Sequence, residues 1–144
     1  MNSSTIVVDA NLVVRRVLFP DDQEVQKAWE AWDQQGLTIV APALIYYEVT
    51  NAIYRYQHRG LLSETTCELA LAAALALPIQ IEGDLDLHLR AWALATQYKL
   101  LAAYDSHYLA LAERLGVDLY TSDRRLYDPM VTAGMKNIQL IPAR

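Results

Sequence analysis

The sequence predicts an α/β fold, a three-layer α/β/α sandwich around a central, mainly parallel sheet. Three observations lead there. Short runs of β-branched and aliphatic residues alternate along the chain with longer amphipathic stretches. The short runs are largely apolar throughout, as expected of strands covered on both faces. Glycines, prolines and capping residues punctuate the junctions between the two kinds of segment.

Thr5-Ile6-Val7-Val8 is the first buried strand, and it ends at Asp9. Ala10 to Leu18 is compatible with a helix. Phe19-Pro20-Asp21-Asp22 breaks that segment and offers an N-cap for a helix over about Gln23 to Gln34. Gly36 stops it, and Leu37-Thr38-Ile39-Val40 forms the second strand, closed by Ala41-Pro42. A long amphipathic helix runs from about Ala43 to His58, with Leu44, Tyr47, Asn51 and Tyr54 along one side, and Gly60 ends it. Ser63-Glu64-Thr65-Thr66 opens an Ala/Leu-rich helix that stops before Pro78, and Pro78-Ile79-Gln80-Ile81 is a third, shorter strand. Asp84 to about Tyr98 is helical, Lys99-Leu100-Leu101 is a connection, and Tyr104 to Leu115 is helical again with Gly116 at its stop. Val117 to Thr121 is the fourth strand, Asp123 to about Thr132 a helix, and Asn137 to Ile141 the fifth strand.

A length of 144 residues fits a single domain over 1–144. With 53% hydrophobic residues the chain can bury a substantial core, and 20% charged residues argues against intrinsic disorder. The longest apolar stretch, Leu69 to Ile79, is short of the roughly 20 residues a membrane helix needs, so no membrane association is expected. The N-terminus, Met-Asn-Ser-Ser, lacks the basic region and cleavage pattern of a signal peptide. The one cysteine, Cys67, has no partner for an internal disulfide and reads as a packing residue, which points to a reducing cytoplasm.

In an open parallel sheet, ligands bind outside the carboxyl ends of the strands. Asp9 follows the first strand directly, and Asp123 lies two residues beyond the fourth. Asp105 opens a helix. Glu48 sits inside a helix among Ile45, Tyr46, Tyr47 and Val49, where a lone carboxylate is costly unless paired or bound to a metal. Each acid also has an ordinary reading. Asp105 and Asp123 are in helix-capping positions, Asp9 is compatible with a turn, and Glu48 with a solvated helix face. Clustered carboxylates repel one another, so a hard cation, Mg²⁺ or Mn²⁺, is their natural occupant. Nothing favours zinc: His58, His88 and His107 are scattered without ligand spacing. A net charge of −5 weighs against nucleic-acid binding, though less so if bound cations offset a carboxylate cluster.

These residues resemble a known family. Val7-Val8-Asp9-Ala10-Asn11 resembles the opening strand and first acid of PIN domains, and Tyr46-Tyr47-Glu48-Val49-Thr50-Asn51-Ala52 resembles their helix-borne Glu. Tyr104-Asp105-Ser106-His107-Tyr108-Leu109-Ala110-Leu111-Ala112-Glu113 looks very like the third motif. Thr121-Ser122-Asp123-Arg124-Arg125-Leu126 is similar to the fourth. The order is that of the family, and the subgroup most resembled is the VapC toxins of toxin–antitoxin pairs. The resemblance implies a Mg²⁺- or Mn²⁺-dependent ribonuclease. Asp9, Glu48 and Asp105 would then be the principal metal-site acids, Asp123 the more variable fourth, and Asn11 and Thr121 polar supports. Ser106 departs from the Ala common in the subgroup, with little consequence expected. The resemblance further implies RNA as substrate, a small antitoxin protein as partner, and a homodimer.

RNA phosphates need positive partners, and Arg15, Arg16, Arg55, Arg59, Arg124 and Arg125 lie near the acids in sequence. Arg15, Arg55 and Arg124 are singled out as RNA contacts, against the ordinary reading of solvated helix charges. Trp29, Trp32, Tyr46, Tyr54 and Tyr56 suit an interface or the core equally. The alternative function is a catalytically silent PIN-like scaffold or binding module. A receiver domain is disfavoured because Val7-Val8 stands where it needs an acidic pair. A haloacid-dehalogenase-like phosphatase is disfavoured because Asn11 stands where it needs a second Asp.

Overall fold

The computed structural model describes residues 4–144; Met1, Asn2 and Ser3, which belong to the N-terminal stretch read above, lie outside the described residues. Elements follow one another as β1 (Thr5–Val8), α1 (Ala10–Leu18), α2 (Gln23–Gln34), β2 (Thr38–Ala41), α3 (Leu44–His58) and α4 (Glu64–Ala76). They continue as β3 (Ile79–Ile81), α5 (Leu85–Tyr98), α6 (Tyr104–Leu115), β4 (Leu119–Thr121), α7 (Arg124–Thr132) and β5 (Ile138–Leu140).

Helix starts are set chemically. The Asp22, Ser63 and Asp84 side chains accept the backbone N–H of Val25, Thr66 and Leu87 at 3.3, 3.1 and 3.1 Å, satisfying amides that the helix itself leaves free. Gly116 closes α6 in the left-handed region, φ 67°, where a side chain would be strained.

The sheet runs β3-β2-β1-β4-β5, and every pairing is parallel. β1 is central, flanked by β2 and β4, and all three are largely buried. β3 lies at an edge, so Gln80 and Ile81 are exposed there rather than covered on both faces as expected. Strand order reverses beside β1: β2 and β3 extend to one side, and β4 and β5 to the other. The right-handed crossovers of parallel strands then put the helices that precede β3 on one face and those that follow it on the other. α1 packs with α2, α3 and α4, whereas α5 packs with α6, and α7 with β5. Cys67 is buried in α4, in keeping with a packing role. Among the described residues no helix is long and apolar enough to cross a membrane.

Two aromatic expectations resolve differently. Trp29 and Trp32 belong to the core: their rings meet edge-on at 5.2 Å, Trp32 meets Tyr120 at 5.0 Å, and the Trp29 indole N–H donates to the Leu12 carbonyl at 3.1 Å. On α3, the side read as Leu44, Tyr47, Asn51 and Tyr54 faces outward beyond its first residue, Leu44 being half-buried against the core. Ile45, Val49 and Ile53 are the residues it buries, while Tyr47 is 75% exposed and Tyr54 56%. Tyrosine serves either environment, so the i, i+3, i+4 spacing of aromatic residues did not mark the core side.

Candidate functional site

The reversal point between β1 and β4 leaves a crevice at the carboxyl edge of the sheet, where open α/β sheets bind ligands. A cavity of about 390 Å³ opens there, and Asp9, Glu48, Asp105 and Asp123 all line it, together with Asn11, Asn51, Arg55 and Arg125. The four acids arrive from β1, α3, α6 and the β4–α7 junction. All four sequence-predicted acids therefore meet.

Asp9 is held most firmly. Its backbone N–H donates to the Tyr120 carbonyl at 3.2 Å, fastening the end of β1 to β4. One carboxylate oxygen accepts the Leu12 N–H at 3.3 Å and so caps α1; the other accepts the Thr121 hydroxyl. Asp9, read from sequence as compatible with a turn or as a member of the acid cluster, is the N-cap of α1 and lines the cavity with the other acids. Burial, only partly countered by these bonds and reinforced by the charges of Asp105 and Glu48, pushes its carboxyl from 3.8 to about 7. Thr121 Oγ also accepts the Asp123 N–H at 3.1 Å, so one hydroxyl ties two of the acids together. Asn11 behaves differently from expectation: its amide donates to Ser122 Oγ at 2.7 Å rather than to an acid.

Glu48 accepts the Tyr108 hydroxyl at 2.6 Å. Burial raises the Glu48 carboxyl, the Tyr108 bond lowers it, and the Asp105 charge raises it further. Tyr108 is itself buried, and burial beside Glu48 drives its hydroxyl strongly upward, so it remains a donor. Sequence reasoning missed this residue, although a signal existed: it stands three positions after Asp105 and so shares that face of α6. Asp105 is raised by burial and by Asp123, with Arg125 acting in the opposite direction.

The arginines divide. Arg15 does not reach the cavity. It is buried, its guanidinium makes two bonds to the Asp22 carboxylate at 2.7 and 2.9 Å, and a third reaches the Ile141 carbonyl at 3.3 Å. A guanidinium buried and engaged in this way is not presented to RNA, and the expectation for Arg15 is corrected accordingly. Arg124 also points elsewhere, pairing with Asp128 at 3.3 Å one turn along α7. Its neighbour Arg125 takes the place at the cavity, pairing with Asp123 at 3.2 Å. Arg55 lines the cavity as expected. It also lines an adjoining depression of about 260 Å³ with Tyr56, Arg59 and Leu61. On the opposite flank, Lys99 and Arg125 line a third depression of about 300 Å³ that shares Asp105 and Asp123.

The donor set is compatible with a hard divalent cation. Every carboxylate is an oxygen ligand, and three of the four are pushed toward protonation by burial and by each other, a cost that a cation relieves. Among the described residues, no three Asp, Glu, His or Cys side chains close around a single point as they stand. Mg²⁺ does not require that: it keeps several waters and takes one or two carboxylates directly, and the cavity has room for both.

Comparison with known proteins now decides the family. The PIN domain family model matches residues 6–129. The chain belongs to the PIN domain family. Ribonuclease VapC3 of Pyrobaculum aerophilum is 29% identical to this PIN domain over 123 residues, covering 84% of this chain and 91% of that protein. Three solved structures share the fold. A toxin–antitoxin complex from Klebsiella pneumoniae matches with a TM-score of 0.66 at 22% identity, over 96% of this chain and 99% of that one. A crystal structure from Pyrobaculum aerophilum matches with a TM-score of 0.67 at 22% identity, over 95% and 90%. The Mycobacterium tuberculosis toxin VapC20, which cleaves the sarcin–ricin loop, matches with a TM-score of 0.65 at 15% identity, over 92% and 97%. The expected α/β sandwich with a parallel sheet is the fold observed.

Proposed function

We propose that this PIN domain is a metal-dependent endoribonuclease, the toxin of a toxin–antitoxin pair. The convergence of Asp9, Glu48, Asp105 and Asp123 on one cavity at the strand-order reversal carries the reading. The ribonuclease relative and the toxin neighbours support it. Asp9, Glu48 and Asp105 would hold Mg²⁺ or Mn²⁺, with Asp123 assisting. When bound, the ion supplies an activated water and counter-charge for the scissile phosphate.

The chain's own groups do the rest. Thr121 fixes the direction of Asp9, and Tyr108 that of Glu48. Arg125 offsets Asp123. Arg55 and Arg59 on one flank and Lys99 on the other are placed to receive phosphates on either side of the acids, so a strand would cross the cavity rather than end in it. Such a path suits internal cleavage of single-stranded RNA. It also answers the net charge of −5, because local cations beside the cavity matter more to a strand than the sum over the chain.

A small antitoxin protein is the partner we assign, acting as a cover for the acids. Beside the cavity, and sharing Asn51 with it, lies a depression of about 460 Å³ lined by Tyr46, Tyr47, Thr50 and Tyr54, which would receive an apolar side chain of that partner. A homodimer, action in the cytoplasm, and a single domain over the full 144 residues complete the reading.

The deciding experiment is cleavage of an internally labelled single-stranded RNA, with Mg²⁺ or Mn²⁺ and with EDTA, by wild type and Asp105→Asn. Metal-dependent internal cuts that vanish in the variant are expected. Failure of well-folded, partner-free protein to cut any of a varied RNA set would leave the silent binding module instead. Two further results are expected. Tyr108→Phe lowers metal affinity or turnover about 10–100-fold, because the carboxylate it orients is left to swing. Arg55→Ala and Arg59→Ala each weaken RNA binding and reduce the slope of log K against log salt by about 0.7, as loss of one phosphate contact on a single strand requires.

A further inference from the structure

The sequence spaces its histidines without pattern, yet the fold brings two of them together outside the lining of the acid cavity. His88 Nδ1 on α5 lies 2.9 Å from His107 Nε2 on α6, and the rings meet edge-on with centroids 5.0 Å apart. His107 Nδ1 lies 2.6 Å from the Ala103 carbonyl oxygen. A carbonyl can only accept, so Nδ1 carries the His107 proton and Nε2 presents a lone pair. His88 Nδ1 must then donate the single proton held between the rings.

Two imidazole nitrogens around one shared proton are close to the geometry of two cis ligands. Metal–nitrogen bonds of about 2.0–2.1 Å, at angles between square and tetrahedral, set two nitrogens about 2.9–3.4 Å apart. Replacing the shared proton by an ion therefore needs only a modest turn of the His88 ring, and His88 is exposed. The bond from His107 Nδ1 to Ala103 is the outer contact that fixes the orientation of a ligating histidine. Both rings line a cavity of about 500 Å³ beyond the ends of β2 and β3, also lined by Glu82, which leaves room for water on the remaining positions. Asp84, in the same lining, is already engaged by Arg114 at 3.0 Å and by its own helix cap.

We propose that His88 and His107 form a second metal site, selective for a borderline transition-metal ion such as Zn²⁺ or Ni²⁺. Imidazole favours these ions over Mg²⁺, whereas the carboxylate cavity offers only hard oxygen ligands, so the two sites sort ions by chemistry. An ion here staples α5 to α6, two residues beyond Asp105, and so braces the helix turn that presents that acid.

The test is calorimetric titration of ZnCl₂ into untagged full-length protein, with excess Mg²⁺ present to occupy the carboxylates. One Zn²⁺ per chain is expected in wild type and in Asp105→Asn, so the result stands apart from the nuclease reading. His88→Gln, an exposed change whose zinc-free melting temperature stays that of wild type, lowers zinc affinity at least tenfold. His107→Gln does the same. Zinc binding of wild-type strength in His88→Gln, or no zinc binding to wild type, overturns the proposal.

Discussion

Replacing Asp9 with Asn is expected to abolish cleavage and, in metal-free protein, to make the fold more stable. The two effects have one cause. Asp9 is fixed by the Tyr120 carbonyl, Leu12 N–H and Thr121 hydroxyl in a place where its charge is poorly solvated, and its carboxyl is raised from 3.8 to about 7. The folded chain therefore binds this proton more tightly than the unfolded chain does. Stability contributed by this residue falls as pH rises from about 4 to about 7, and the full penalty is present above that window. A tenfold difference in proton affinity between the folded and unfolded chain is worth about 1.4 kcal/mol. The amide forfeits part of that by accepting with only one oxygen, so a gain of about 1–3 kcal/mol at pH 8 in EDTA is expected. Thermal unfolding of wild type and Asp9→Asn at pH 5 and pH 8 measures it: the curves separate at pH 8 and converge at pH 5. Equal melting temperatures at both pH values would mean that Asp9 is not strained. Retention of cleavage would remove it from the site.

Arg15→Leu is the change expected to cost most in stability. Arg15 and Asp22 are both buried, and removing the guanidinium leaves a carboxylate without its counter-charge, at a cost of about 3–5 kcal/mol. The Arg15 guanidinium holds the Asp22 carboxyl below its usual value. The pair's contribution is therefore present above the ordinary carboxylate range and is lost as pH falls through the lowered folded value. The deficit of Arg15→Leu relative to wild type accordingly shrinks in acid, where Asp22 takes up a proton. Arg15→Lys restores little, because an ammonium cannot make the two parallel bonds of the fork. Denaturant unfolding at pH 7 and pH 4 checks both points. RNA binding by the folded fraction keeps its wild-type salt dependence, which separates this role from phosphate contact.

Much of the architecture was written locally. Asp22, Ser63 and Asp84 cap the helices they were expected to start, and Gly116 stops α6, because capping is decided within three or four residues of chain. Both ends of α1, α2 and α6 agree with the sequence, whereas β2 shifts by one residue and β3, β4 and β5 shorten by one or two, where pairing rather than composition sets the limit. Asp9, Asp105 and Asp123 were legible because each follows a strand end or opens a helix, Glu48 because a lone carboxylate among apolar helix residues is costly, and the family's motif order ties the four together. What sequence could not supply was long-range. Nothing in Thr5 to Val8 says that β1 lies between β2 and β4, and nothing local pairs Arg15 with Asp22 across the bend at Phe19-Pro20. Exchanging Arg124 for Arg125 is a rotation of about 100° around α7, within the error of any reading that lacks the partner surface. The histidine pair depends on α5 packing against α6, and spacing in the chain carries no trace of it.

The position of β1 has a consequence for the protein while it is being made. Its two neighbours are supplied by residues 38–41 on one side and 119–121 on the other, so most of the chain is synthesised before the second neighbour exists. During that interval a buried-type strand, Ile6-Val7-Val8, keeps one edge open to whatever else can pair with it, and Asp9 lacks both Tyr120 and Thr121. A nascent or truncated chain ending before residue 119 carries three of the four acids but cannot assemble them. Activity therefore arrives late in translation, at the moment the sheet acquires its second half, and a partner that recognises the finished crevice has nothing to bind until then.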